Sequence, residues 1–168
     1  MGLCPTRGSG ITRTTPRVSV RMSDDVSSWS RHGFEINTDK SRLDRESILK
    51  MLGATYWARD VSPENLWTSI VNSRAYGLYS PDGEQAGFGR MVTDYTRFAW
   101  MSDVYVLPVH RGDGRGKWIV ETMVNDPALA SVHRIMLSTT DAHSLYERLG
   151  FVTIGDDGDA RQLMQLKR

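Results

Sequence analysis

Cysteine is almost missing from this chain: Cys4 is the only one in 168 residues. A single cysteine cannot close an internal disulfide, and it excludes any cysteine-based metal site. Histidine is scarce too. His32, His110, His133 and His143 form no i, i+4 pair of the kind that sets two imidazoles on one metal, so no metal is expected. Net charge is close to zero, +1 at neutral pH, which removes any global field that would draw the chain to nucleic acid or to an anionic membrane surface. No apolar run reaches the ~20 residues needed to cross a bilayer. The expectation is a soluble, cytoplasmic protein, and the length suits one domain with a sizeable core rather than two.

Acidic residues are also missing from the start of the chain, where none precedes Asp24. Residues 1–31 are rich in Ser, Thr, Arg and Gly and show no hydrophobic periodicity. Such a segment buries too little apolar surface to offset its ordering entropy, so it is expected to be a disordered tail ahead of a folded domain over residues 32–168. Three functional readings stay open for the tail. Met1-Gly2 with Thr6 fits an N-myristoylation pattern, with Cys4 as a palmitoyl site. The Arg-rich, acid-poor start also fits a transit peptide. Met22 would serve as an alternative initiator.

Glycine, by contrast, is concentrated where it matters. Val104-Tyr105-Val106-Leu107-Pro108 reads as a strand, and Arg111-Gly112-Asp113-Gly114-Arg115-Gly116-Lys117 follows, leading into the helically spaced Trp118, Ile119 and Met123. A strand, a glycine turn and a helix start make an anion site. Glycine lets the backbone approach closely, and the N–H groups of the first helical turn point at the anion with the positive end of the dipole. Arg111, Arg115 and Lys117 add charge at the same place. Two nucleotide motifs fail on spacing. A Walker loop needs four residues between its glycines and then Lys-Ser/Thr, whereas only 113–115 lie between Gly112 and Gly116, and Trp118 follows Lys117. The dinucleotide fingerprint would need glycine where Lys117 stands.

The rest of the pattern alternates strands and helices. A short strand is expected at Phe34 to Ile36, then a helical pattern from Ser41 through Ile48, Leu52 and Trp57. Ser62-Pro63-Glu64 reads as a helix cap, with Leu66, Trp67, Ile70 and Val71 turned inward. Tyr76 to Tyr79 and Gln85 to Thr93 form a hairpin around Pro81-Asp82-Gly83, and a turn at Asp94 to Arg97 leads into the long strand Phe98 to Val106. A helix over 115–125 stops near Asp126-Pro127. A strand at 134–139, a helix from Asp141 and an antiparallel pair near 151–154 and 161–166 complete the chain.

The spacing Arg111-x-x-Gly114-x-Gly116 after a Val-x-Val-x-Pro strand resembles the pyrophosphate motif of the GNAT superfamily of acyl-CoA-dependent N-acetyltransferases. A second match downstream, Ser144-Leu145-Tyr146-Glu147-Arg148-Leu149-Gly150-Phe151, resembles that family's late helix, and the resemblance covers about residues 34–168. It implies an α/β (α+β) fold with a mixed, mostly antiparallel sheet of about seven strands, flanking helices, and a splayed parallel pair on either side of the glycine loop. It implies acetyl-CoA as co-substrate, with the pantetheine arm along Val104, Tyr105 and Val106 as an added strand would lie. The diphosphate would rest on the main chain from Gly112 through Asp113, Gly114, Arg115 and Gly116 to Lys117, with Arg111 beside it.

Acetyl transfer from a thioester to an amine needs a neutral amine, stabilisation of an oxyanion and a proton for the leaving thiolate. The resemblance assigns the proton to the phenol of Tyr146, and the oxyanion to a main-chain N–H near Val106. Asp103 lies where relatives often carry a carboxylate. It would act as base, as an anchor for the cationic amine, or as a plain salt-bridge partner of Arg90 or Arg97. Asp94 and Tyr95 read as a surface turn. Asp141 stands where relatives often have Asn, and reads more simply as a helix cap. His143 reads as a solvent-facing helical residue or a proton relay. Trp57, Trp67 and Trp100 suggest either an aromatic wall or core packing. The leading expectation is an N-acetyltransferase for a small-molecule primary amine, monomeric or a homodimer. Acetylation of a protein or peptide amine, or a non-catalytic acyl-CoA sensor, are the alternatives.

Overall fold

Short side chains start the helices. In the computed structural model, which describes residues 25–155 and 162–167, the Ser62 hydroxyl accepts from the Asn65 N–H at 3.3 Å, and Pro63 takes the first position of helix α2 (Pro63–Val71). Asp44 caps helix α1 (Arg45–Gly53) by accepting from the Ser47 N–H at 3.1 Å. α1 begins later than the pattern at Ser41 suggests, because Asp39 first closes a separate 3-10 turn over Lys40–Arg42. It also ends before Trp57, which lies in the connection to α2. α2 buries Leu66 and Ile70, but Val71, expected inside, stands 41% exposed.

The strands form one open, mostly antiparallel sheet. Strands β1 (Ser28–Arg31), β2 (Phe34–Asn37), β3 (Arg74–Tyr79), β4 (Gln85–Thr93) and β5 (Phe98–Val106) follow in chain order. Then come β6 (Arg134–Thr139), β8 (Gln162–Lys167) and, at the far edge, β7 (Val152–Ile154). Helix α3 (Arg115–Val124) links β5 to β6, and helix α4 (His143–Glu147) links β6 to β7. The β4–β5 turn is held by Asp94 Oδ1, which accepts from the N–H groups of Arg97, Thr96 and Phe98. Those backbone donors hold its carboxyl down at about 2.

The eighth strand, β1, lies inside the segment expected to be a tail. Residues 1–24, with Cys4, Thr6 and Met22, lie outside the described residues, but Ser28–Arg31 pairs antiparallel with β2 from Ser28↔Asn37 to Arg31↔Phe34. The tie is tertiary. Arg74, 4% exposed, donates to the Ser27 hydroxyl and the Asp25 carbonyl while its Nε meets Asp126 Oδ2. Tyr76 donates its hydroxyl proton to the same carboxylate oxygen at 2.7 Å. Composition alone does not reveal such an anchor.

Two clusters cover the two faces. Ile119, Val120 and Met123 of α3 pack with Ile36, Leu78, Met91 and Met101, and Tyr146 and Phe151 join them. On the opposite side Ile48, Leu52, Leu66 and Ile70 of α1 and α2 pack with Phe88. α3 lies so close on β4 that a Cβ at Gly89 would sit 2.8 Å from Met123 Sδ. Among the described residues, no helix is long and apolar enough to cross a membrane.

Candidate active site

β5 and β6 run parallel, but they pair only from Phe98↔Arg134 to Trp100↔Met136. β6 keeps its partner β8 along its whole length, from Arg134↔Lys167 to Thr139↔Gln162. β5 therefore peels away from an otherwise continuous sheet and leaves its own edge open toward the glycine loop. The Leu107 N–H donates to the Ala86 carbonyl at 2.9 Å, on the β4 side. By alternation, Val106 turns its main-chain groups the other way, to the open edge. Its carbonyl there accepts from Arg111 Nε at 2.8 Å.

A β-bulge sets the site's carboxylate. Phe88 pairs Tyr105 and Arg90 pairs Ser102, so Gly89 alone opposes both Asp103 and Val104. Plain alternation would put Ser102 and Asp103 on opposite faces. The bulge, with Asp103 at φ 56°, turns both toward Arg90. Arg90 Nε donates to Asp103 Oδ2 and Nη2 to Ser102 Oγ at 3.4 Å. Of the partners considered for Asp103, the structure selects Arg90. Arg97 stays in the exposed turn.

Beyond β5 the glycine loop has the form the motif requires. Gly112 (φ 101°) and Gly114 (φ 73°) are left-handed, which favours glycine, and a Cβ at either would meet nothing within 4 Å. Gly114 caps α3 with no side-chain hydrogen bond and no acidic residue in the first turn, so no side chain caps the helix's leading N–H groups. Arg115 bends back to donate to the His110 carbonyl at 3.0 Å and to Asp113 at 2.8 Å, and its guanidinium lies over the Phe34 ring. Lys117 pairs with Glu121 at 3.3 Å. The side chains of Asp113 and Lys117, both named from sequence, do not line the cleft beside the loop. Val104, Tyr105, Val106, Arg111, Gly112, Gly114, Arg115 and Gly116 do.

That cleft, about 690 Å³, continues to Tyr146. A second cavity of about 440 Å³ opens on the Arg90 face of β5, lined by Asp103, Trp57, Trp100 and Asn65 among others. The two share Tyr56, Trp57, Val104, Asp141, Ala142 and Tyr146. Tyr146 is 8% exposed, and burial, reinforced by the nearby Asp141 carboxylate, pushes its phenol up to about 12. Asp141 does not cap α4. Ala142 holds that position, and its N–H donates to Thr139 Oγ1 instead. His143 is not solvent-facing, since its Nε2 is buried, with no hydrogen-bond partner among the described residues. Trp67 lies outside both cavities, near the Arg45 guanidinium. Sequence reasoning overlooked Tyr56, which lines both cavities and whose hydroxyl meets Thr140 Oγ1. Adjacent aromatics between two helices were the available signal.

Comparison with known proteins agrees with this geometry. The model of the acetyltransferase (GNAT) domain matches residues 72–153. A Gibberella zeae protein that carries an acetyltransferase name is 32% identical over 139 residues, covering 70% of this chain and 78% of that one. A candidate acetyltransferase of the GNAT family from Xanthomonas campestris superposes with a TM-score of 0.68 at 38% identity, over 71% of this chain and 84% of that one. The spermidine N-acetyltransferase of Vibrio cholerae, solved with CoA and spermine, shares the fold at TM-score 0.63 and 17% identity, over 82% of this chain and 96% of that one. The chain belongs to the GNAT family of acetyltransferases. It is an acyltransferase of the acetyl-CoA-dependent class.

Proposed function

We propose that this enzyme transfers the acetyl group of acetyl-CoA to a primary amine of a small molecule by direct attack. The observation that carries the reading is the junction of two cavities at one phenol. The first runs from the glycine loop to Tyr146, and the second, with Asp103, reaches Tyr146 from further back along β5. The loop fits a diphosphate, because its left-handed glycines leave room for close approach and α3 presents an uncapped positive end. The second cavity, about 440 Å³ and walled by Trp57, Trp100 and Asn65, is of a size for a small acceptor.

When bound, acetyl-CoA supplies the activated acetyl group as a thioester. The chain's own residues then have three tasks. Main-chain N–H groups from Gly112 to Lys117 hold the diphosphate, and the N–H of Val106 at the open edge of β5 faces the carbonyl oxygen as charge develops there. Asp103, its charge balanced by Arg90, offers the incoming amine a carboxylate oxygen as a hydrogen-bond acceptor. Tyr146 donates a hydrogen bond to the departing sulfur. A phenol at about 12 is weaker than an ordinary thiol by roughly three powers of ten. Complete proton transfer from it is therefore uphill, and the contribution is mainly a strong hydrogen bond. Thiol release from acetyl-CoA over a panel of amines tests the proposal. Tight acetyl-CoA binding with no release for any acceptor would favour a non-catalytic sensor.

A further inference from the structure

The amine-side cavity is electrostatically selective. Among the described residues that line it, Arg90 is the one cation, and each of its guanidinium nitrogens is engaged. Nε meets Asp103, Nη1 meets Ser73 Oγ at 3.0 Å, and Nη2 meets Ser102 Oγ at 3.4 Å. Asp103 cancels the arginine's charge, which leaves Asp141 as the carboxylate on the wall with no ion pair among the described residues. Trp57 and Trp100 supply broad apolar surface, and Asn65 and Ser69 add neutral polar groups.

From this wall, resting on the acetyl-transfer reading above, we infer that the acceptor is a primary monoamine with an aromatic body and no carboxylate or phosphate. An amino acid would bring its own carboxylate into a pocket whose lone cation is already paired, and an unmatched anion in such a place is costly. A polyamine would bring two or more further cations to a wall with one spare carboxylate. An aromatic monoamine satisfies both conditions. Its ammonium is drawn by Asp141 and the tryptophan faces, and its ring packs on indole. The volume of about 440 Å³ accommodates a one- or two-ring amine. The ammonium first loses a proton to solvent. The amine nitrogen then forms the N–C bond as the C–S bond breaks, and the nitrogen's second proton is balanced by one that ends on sulfur. Amide and thiol are the only products.

The test uses matched pairs with the full chain at saturating acetyl-CoA: phenethylamine against phenylalanine, tryptamine against tryptophan, and spermidine. The kcat/KM of each amine should exceed that of its amino acid by about 100-fold. Asp141→Asn, at an exposed position that leaves the core intact, should raise the KM for phenethylamine about two- to fivefold, and an unchanged KM would overturn Asp141 as the partner of the ammonium. Equal or better turnover of the amino acids, or a preference for spermidine, overturns the acceptor class while acetyl transfer stands. Absence of thiol release with every amine, beside normal acetyl-CoA binding in a calorimetric titration, overturns both readings.

Discussion

Replacing Gly114 with valine separates a main-chain phosphate cradle from a side-chain one. Gly114 stands at φ 73°, where a β-branched residue is strained, yet no atom lies within 4 Å of the added Cβ. The perturbation is therefore conformational rather than a clash with the core. Holding an L-residue left-handed costs roughly 1–2 kcal/mol, more for valine. Relaxing that strain rotates the first turn of α3 and misaims its N–H groups. Losing one charge-assisted hydrogen bond at ~1.5–3 kcal/mol raises the acetyl-CoA Kd by about 10- to 150-fold. Arg115→Ala removes a side chain whose charge is already shared with Asp113 and the His110 carbonyl, so the Kd should rise less than about fivefold. Isothermal titration with acetyl-CoA measures both, and thermal melting of the free proteins controls for folding. Equal losses, or a larger loss in Arg115→Ala, would refute the main-chain cradle.

Tyr146→Phe should lower kcat by about 10- to 100-fold, the scale of one hydrogen bond to a charged group, and leave the acetyl-CoA Kd within about twofold. Unchanged turnover would make the phenol structural. Burial raises the Tyr146 pKa to about 12, so the folded state holds this proton more tightly than the unfolded chain does. Its stabilising share is complete below about pH 10 and is lost as pH climbs through that folded value. Phenolate absorbance should accordingly show wild type and Tyr146→Phe titrating alike below about pH 10 and separating only above it. Asp126→Ala strips the buried partner from Arg74 and Tyr76. A loss of about 3–5 kcal/mol follows, read as a fall in Tm of about 6–20 °C with acetyl-CoA affinity retained below the melt.

Much of the secondary structure was legible because the signals are local. Ser62-Pro63 caps α2, and the strands at 85–93, 98–106 and 134–139 fall where pattern placed them. Local signals misled where a tertiary partner decides. Nothing near Ser28 announces β1, which depends on Arg74, some 46 positions further on, reaching back to the segment that precedes it. Asp141 looked like a helix cap, yet Thr139 provides the hydrogen bond at the start of α4. Trp57, Trp67 and Trp100 are indistinguishable by type. Only their placement shows that the first and third line the cavity beside Asp103 while the second packs beside Arg45.

The amino-acid order by itself determined the glycine loop, the strand before it, the helix after it and the tyrosine downstream, and with them the family. Those features depend on left-handed backbone, missing N–H partners and side-chain period, all of which act between near neighbours. The tertiary structure alone decided that Asp103 joins Ser102 on Arg90 instead of reaching Arg97, because one extra residue opposite Gly89 puts the two neighbours on one face of β5. It alone decided that the Arg90 charge is spent inside the protein rather than on an acceptor. A bulge and an ion pair depend on register between strands distant in sequence, and that register is fixed only when the sheet closes against its helices.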